Sequence, residues 1–400
     1  MDILIISEFG EDYSQSDNDR FLYIAKMIVD NYKGCNIEIV TSSFRHTTKS
    51  HRKEAASDWP FKITFIDEPG YAKNICLRRF YSHFVWGKNV EQYLRERKRP
   101  DVVYCAIPSL SGPSRVAKLC KKNNIKFIID VQDLWPEAFM MILNIPGFNK
   151  LIFSPFAILA NSIYKRADAI CAVSDTYCQR ALSKNKIVKN TTTVFLGTEL
   201  EIFDKYAKEK PILEKKNDEI WLAYCGTLGS SYDLTCVIDA LSILNDKKIK
   251  FIVMGDGPLK EKFECYAKSK GIDSCFVGRL SYDKMCSLLA ICDINVNPIM
   301  HRSAASIINK HADYAASGNP VVNTQENIEY RNLVDEYKMG FNCNNNDFND
   351  LADKIRKLIT DKELRIQMGK NARHCAEEKF DRSFSYKRLI QLIMNQLENY

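Results

Sequence analysis

The sequence predicts an α/β protein made of two doubly wound domains that face each other. Two observations predict it. Short apolar runs without polar alternation, the signature of parallel strands covered on both faces, alternate with amphipathic stretches. That alternation pauses over a charged stretch, 208–219, which contains Pro211 and reads as a linker, and it resumes at Ile220. Ligands of such sheets collect outside the strand carboxyl ends, so the cleft between two facing sheets is the expected binding place.

In the first half, strands are predicted at 3–7, 37–41, 63–67, 102–106, 127–131, 169–174 and 192–196. Met1-Asp2-Ile3-Leu4-Ile5-Ile6 lacks a basic start and a cleavage site, so it reads as a first strand and not as a signal peptide. Phe21, Ile24, Ala25, Ile28 and Val29 fall at helical spacing, with Asp17-Asn18-Asp19 as the capping loop before them. The expected division is a first Rossmann-like domain at 1–200 and a second at 201–381, with a final helix at 382–400 packing back on the first.

In the second half, Ile220 to Cys225 is an apolar strand followed by Gly226-Thr227-Leu228-Gly229. Phe251 to Met254 is another, followed by Gly255-Asp256-Gly257. Strand, glycine turn, helix is the geometry in which backbone N–H groups approach a phosphate with no Cβ in the way. Any strand–helix turn can use glycine, so each pair alone says little. The stretch from Asn309 to Val322 adds to them. It reads as a helix that stops at Gly318, then a strand after Pro320, with Lys310 and Asp313 on one helical face. Asp313 could clamp a vicinal diol such as a ribose while the free helix N–H groups attract phosphate; the plainer reading is an ion pair between Lys310 and Asp313.

Composition narrows the function classes. The 400 residues are 46% apolar and 27% charged, enough for two or three cores. No apolar run reaches the ~18 residues of a membrane span. Fourteen cysteines form no CxxC pair and several sit inside apolar strands, which speaks for a reducing cytoplasm and against disulfides or zinc. Residues 1–198 hold 28 Lys and Arg against 20 Asp and Glu, so the surplus of positive charge belongs to the first half. It is either a solvated face or a surface for anionic lipid at the inner face of the plasma membrane. The run Leu151 to Ala160 is either a core helix or part of that surface. The basic clusters carry few interleaved aromatics, and nucleic acid is not an expected partner.

At this point the residues resemble the retaining glycosyltransferases of family 4, with the GT-B fold of two Rossmann-like domains. The markers are Gly226-Thr227-Leu228-Gly229, Gly255-Asp256-Gly257, Val277-Gly278-Arg279-Leu280 and the block from Asn309 to Val322. In the first half they are Tyr71-Ala72-Lys73-Asn74 with Arg78-Arg79, and Asp133-Leu134-Trp135-Pro136-Glu137, which looks like the branch that builds capsule and O-antigen units. The resemblance implies transfer of a hexosyl or N-acetylhexosaminyl group, with retention, from a UDP-sugar to a lipid-linked or oligosaccharide acceptor. It implies donor contacts from Gly226, Thr227, Leu228, Gly229, Gly255, Gly257, Arg279, Asn309 and Asp313, and catalytic roles for Lys310, Asp133 and Glu137. Gln132, Arg78 and Arg79 fall on the acceptor side. Two departures stand out. Asp313 replaces the second glutamate of the family's E-x7-E element, and Ala305 replaces the first. The basic pair that many members place around the first glycine turn is missing, with Thr227 and Tyr232 near those positions.

The transferase reaction grows negative charge on a leaving diphosphate, so it needs fixed positive potential more than a strong base. Lys310, Arg279 and the turn amides are the candidates, and no metal cofactor is expected, since the lone DxD string, Asp17-Asn18-Asp19, lies far from the glycine turns. Glu137 is also readable as a plain first-turn residue after Pro136. A nucleotide-sugar epimerase of the same fold, and a non-catalytic sugar-nucleotide-binding partner subunit, remain as alternatives.

Overall fold

A computed structural model describes residues 1–10, 19–52, 59–74, 76–142, 149–301 and 307–398. The chain divides into two compact units, Met1–Val194 with Tyr386–Tyr400, and Phe195–Ser385. Its strands are β1 Asp2–Ser7, β2 Asn36–Ser42, β3 Phe44–Arg45, β4 Ser50–His51, β5 Lys62–Ile66, β6 Val102–Ile107, β7 Lys126–Val131, β8 Ala169–Ala172 and β9 Asn190–Thr193. They continue as β10 Ile220–Cys225, β11 Ile249–Met254, β12 Ser274–Gly278, β13 Ile294–Asn297, β14 Val321–Asn323 and β15 Gly340–Asn342.

The first unit holds a seven-stranded sheet in the order β5-β2-β1-β6-β7-β8-β9, and the second a six-stranded sheet in the order β12-β11-β10-β13-β14-β15. Each described ladder of these two sheets is parallel. Both run outward in two directions from their first strand, which is the doubly wound order. Each therefore has a switch point, between β1 and β6 and between β10 and β13, where the loops at the carboxyl ends part and leave room for a ligand.

The strands read as unbroken apolar runs because both faces are covered. Along β10, Trp221 and Ala223 enter one core while Leu222 and Tyr224 enter the other. In the first unit, Tyr386, Leu389, Ile390 and Ile393 of the last helix, Arg382–Glu398, join the core of Ile3, Ile5, Phe21 and Ile24. The Asp19 carboxylate caps the first helix, Arg20–Asn31, accepting from the Phe21 and Leu22 amides, whereas Asp17 and Asn18 lie outside the described residues.

Three expectations shift. The charged stretch 208–219 is no linker: Lys215 Nζ lies 2.5 Å from Asp293 Oδ2 and the Glu219 carboxylate accepts from Trp221 Nε1, both within the second unit. The strand expected to 174 ends at Ala172, because the Ser174 hydroxyl caps the helix Asp175–Leu182. The run Leu151 to Ala160 is not one core helix. It breaks at Phe153 between Asn149–Ile152 and Ser154–Arg166, and leaves Leu151 and Ile158 exposed.

Candidate functional site

In the second unit, β10 ends in Tyr224 and Cys225 and the chain turns at Gly226, whose φ is +144°. A Cβ on Gly255 would stand 1.8 Å from Gly226 O, and one on Gly257 would stand 2.4 Å from Leu228 O. The two glycine turns thus pack backbone against backbone, tied by Gly226 N–H to Met254 O and Leu228 N–H to Asp256 O, each at 2.9 Å. Steric approach alone demands glycine at 255 and 257. The Leu228 side chain is buried. Of the four turn amides, those of Thr227 and Gly229 donate to no described group, so they are the ones available to an anion.

Lys310 comes up beside this turn from the helix Asn309–Ala316, its Nζ 3.6 Å from where a Gly226 Cβ would stand. The side chain is buried, and its ammonium has no hydrogen-bond partner among the described residues. It lies 4.5 Å from the centre of the Tyr224 ring and 4.1 Å from that of Tyr232. Burial pushes its pKa down to about 7. No described ion pair joins it to Asp313. That carboxylate instead accepts from the Tyr282 hydroxyl at 3.0 Å, and Tyr282 is 2.6 Å from Thr198 Oγ1. Burial raises Asp313 to about 6, with the Tyr282 hydrogen bond opposing the rise. The shared helical face was legible; what was not is that Asp313 turns to Tyr282, at the start of the helix Tyr282–Ala290, and Lys310 to the rings of Tyr224 and Tyr232.

His311 between them accepts the Ile308 N–H at Nδ1 and stacks on Tyr330 at 3.6 Å. It fixes the helix start, and burial keeps it neutral, its pKa pushed well below the ordinary value. Arg279, just past β12, and Asn309 are exposed, with no described hydrogen bond or ion pair. Ala305 lies outside the described residues.

In the first unit the carboxyl edge is crowded. Asp133 accepts from the Leu134 amide at 2.8 Å and from Trp135 Nε1 at 3.2 Å, and burial raises its pKa. Gln132 is tied to Asp130 Oδ2 at 2.8 Å, and Asp130 is the partner of buried Arg20. Glu137 opens the helix Glu137–Ile142 and pairs with Arg180 at 2.6 Å. Arg78 is exposed and donates to Gly70 O, whereas Arg79 is buried with its guanidinium over the Trp135 ring at 4.9 Å.

Arg79 leads to groups that sequence reasoning missed. Its Nε donates to His83 Nε2 at 3.3 Å, so a neutral His83 carries its proton on Nδ1, which faces Glu8 Oε1 at 3.3 Å. The Ser109 hydroxyl donates to Glu8 Oε2. Glu8 follows β1 and Ser109 follows β6, so this chain spans the switch point of the sheet. Burial, reinforced by Glu68, pushes Glu8 well up; burial, reinforced by Arg79, pushes His83 down to about 2. Burial thus disfavours the charged form of both. The signal in the sequence was a polar Glu8 directly after a first strand that ends in Ser7.

Residues 205–375, most of the second unit, match the family described as Glycosyl transferases group 1. The chain is 27% identical over 258 residues to the glycosyltransferase MJ1178 of Methanocaldococcus jannaschii, covering 62% of this chain and 67% of that protein. It is 23% identical over 256 residues to WcaI of Escherichia coli, a colanic acid biosynthesis glycosyl transferase by name, covering 61% and 62%. With sulfoquinovosyl transferase SQD2 of Arabidopsis thaliana it shares 30% identity over 293 residues, 71% of this chain and 54% of that one. The matched stretch therefore spans about half to two thirds of these relatives. Among solved structures, HepE of Anabaena in complex with UDP superposes with a TM-score of 0.71 at 15% identity, covering 99% of this chain and 100% of that one. WaaG, a glycosyltransferase involved in lipopolysaccharide biosynthesis, does so at 0.69 and 15%, covering 98% and 99%. At these identities the likeness to the solved structures is one of fold.

Proposed function

We propose, from the match of residues 205–375 to Glycosyl transferases group 1 and from the GT-B fold of the chain, that the protein transfers a sugar, with retention, from a nucleotide-sugar donor to an acceptor hydroxyl. The observation that carries this reading is the buried Lys310 ammonium beside the Gly226 turn, without a hydrogen-bond partner among the described residues, at the switch point of the second sheet. An ammonium held there without a hydrogen-bond partner is costly unless an anion arrives to meet it. With the Thr227 and Gly229 amides it would stabilise the charge that grows on a leaving diphosphate, a preorganised array that needs no reorientation during bond cleavage. Asp313 takes the ribose hydroxyls and Arg279 the outer phosphate. A UDP-sugar is the favoured donor, supported by the UDP bound to HepE.

The acceptor reading is a lipid-linked or oligosaccharide hydroxyl in capsule, O-antigen or exopolysaccharide assembly, supported by the names of WcaI and WaaG. Arg79 and Asp133 are its contacts in the first unit. Arg78 and Gln132 are less suited to that role, being bound to Gly70 O and to Asp130. Attachment to the cytoplasmic face of a membrane belongs to the same reading. Leu77, Tyr81 and Phe84 project from one face of the helix Leu77–Glu96, with Leu151 and Ile158 also exposed in this unit. Arg115 sits over Phe84. Among the described residues no helix is long and apolar enough to cross a membrane. Vesicles of anionic lipid should pull the protein down at low salt and release part of it at about 1 M salt, where the Debye length is about 3 Å. No sedimentation at low salt would remove the membrane from the proposal.

The test of function is a panel of nucleotide sugars incubated with lipid-linked acceptors, with and without EDTA, and product stereochemistry read by NMR. Turnover that survives chelation, with the anomer retained, is expected. Turnover abolished by EDTA and restored by Mn²⁺ would mean that the phosphate charge is met otherwise. An inverted anomer would reject the mechanism. Epimerised donor, or binding without turnover, would favour the epimerase or the non-catalytic subunit.

A further inference from the structure

We propose that Tyr224 and Tyr232 are positioning residues whose ring faces cage the Lys310 ammonium at the Gly226 turn, so that the arriving diphosphate of the donor is met by a cation that draws its proton from solvent as it binds. This rests on the nucleotide-sugar reading of the site.

The cage is set by covalent and steric facts. Tyr224 is the penultimate residue of β10, and its hydroxyl is anchored on Thr227 O at 2.7 Å, inside the turn that would receive the phosphate. Tyr232 closes the same loop, its amide bonded to Gly229 O, and meets the Tyr224 ring edge-on at 5.8 Å. Between these rings the ammonium gains face-on attraction but no hydrogen bond. A carboxylate in their place would neutralise the cation before any phosphate came; rings hold it and leave its charge unspent.

Of the neighbouring groups only Asp313 also exchanges a proton near neutrality, and it is ionised by about pH 8, where Lys310 is the group left to take one up. From β10, the Cys225 thiol is pushed up to about 12 by burial, and Tyr224 and Tyr232 are pushed up by burial too. On its own helix, His311 stays neutral and Asp313 sits at about 6. Tyr314, whose hydroxyl accepts the Cys225 amide, is raised by burial as well. Lys310 itself, lowered by burial to about 7, is largely charged at about pH 6 and largely neutral at about pH 8. A bound diphosphate favours the charged form, so uptake of protons on binding must grow as pH rises.

The experiment is calorimetric titration with UDP-glucose, whose diphosphate diester has no proton to exchange in this range, in paired buffers of different ionisation enthalpy. Uptake should approach one proton per site at about pH 8, where Asp313 is already ionised, fall towards about pH 6, and vanish at about pH 8 in Lys310→Met. Tyr232→Leu should weaken binding roughly tenfold. Binding without uptake at about pH 8 would overturn the proposal. A second readout needs no donor: the lysine side-chain NMR resonance that disappears in Lys310→Met should titrate near 7 and move lower in Tyr232→Leu. Titration in the ordinary range near 10.5 would overturn the cage whether or not a nucleotide sugar binds. Failure of UDP-glucose to bind, with the lysine titrating near 7 and moving in Tyr232→Leu, would instead fault the donor reading and leave the cage standing.

Discussion

The carboxyl edges of the two sheets are built on opposite plans. At the first, Arg79 donates to His83, the Ser109 hydroxyl to Glu8, and the Ser42 and Ser82 hydroxyls to Glu68, with His83 Nδ1 3.3 Å from Glu8 Oε1 but not hydrogen-bonded to it. At the second, Lys310 has ring faces and no hydrogen-bond partner among the described residues, while Asp313 is held by Tyr282 at a position where burial disfavours its charge. An edge whose cation, Arg79, already donates to neighbours leaves little of that charge to a ligand. An edge that keeps a buried charge unsatisfied sacrifices stability and gains affinity for whatever completes it. On the proposed function, the second edge is the one that meets the charged donor.

The plans predict different responses to substitution. The largest effect on stability belongs to the first edge. His83→Leu strands Arg79 Nε, and should lower stability by roughly 1–3 kcal/mol while leaving donor affinity alone. Glu8→Gln should cost less in the same unfolding measurement, since burial disfavours the Glu8 carboxylate. If Glu8→Gln destabilised as much as His83→Leu, Glu8 would be an ionised partner of the cluster and the comparison would fail.

An effect of opposite sign belongs to Asp313. Its pKa is raised from 3.8 to about 6, so the folded state holds a proton that the unfolded state releases between those values. Its contribution to stability is therefore present below 3.8 and lost as pH rises through about 6. At neutral pH Asp313→Asn should raise stability by about 1–3 kcal/mol, with the gain fading towards about pH 4, while donor binding weakens. Thermal melts at two pH values check this; a variant that melts lower at both would show that the carboxylate is structural.

Much of the fold was legible because parallel strands buried on both faces leave unmistakable apolar runs; Ile220 to Cys225 and Ile3 to Ser7 are examples. What was not legible was held by contacts between segments distant in sequence. The stretch 208–219 looked like a linker by composition, yet Lys215 reaches Asp293. Gly255 and Gly257 looked like ligand contacts, yet the neighbouring turn demands them. At the site, Lys310 and Asp313 could be picked out by residue type and spacing. Glu8 and His83 could not, since a residue just past a strand and a helix residue 75 positions on announce no approach to one another. Tyr224 read as an ordinary apolar position and Tyr232 only as lying near the place of a missing basic residue, because a ring face that holds a cation has no mark of its own in a sequence.

The central claim, that the unsatisfied charge of the second edge is the anchor for the donor diphosphate, is tested most directly by comparing wild type with Lys310→Met in nucleotide-sugar binding and in thermal unfolding together. The account predicts that Kd rises by roughly ten- to a hundredfold, the equivalent of a charge-assisted hydrogen bond of about 1.5–3 kcal/mol, while the melting temperature holds or rises because a buried, unpartnered amine has been replaced by an apolar chain. An unchanged Kd, with or without a change in melting temperature, would contradict it.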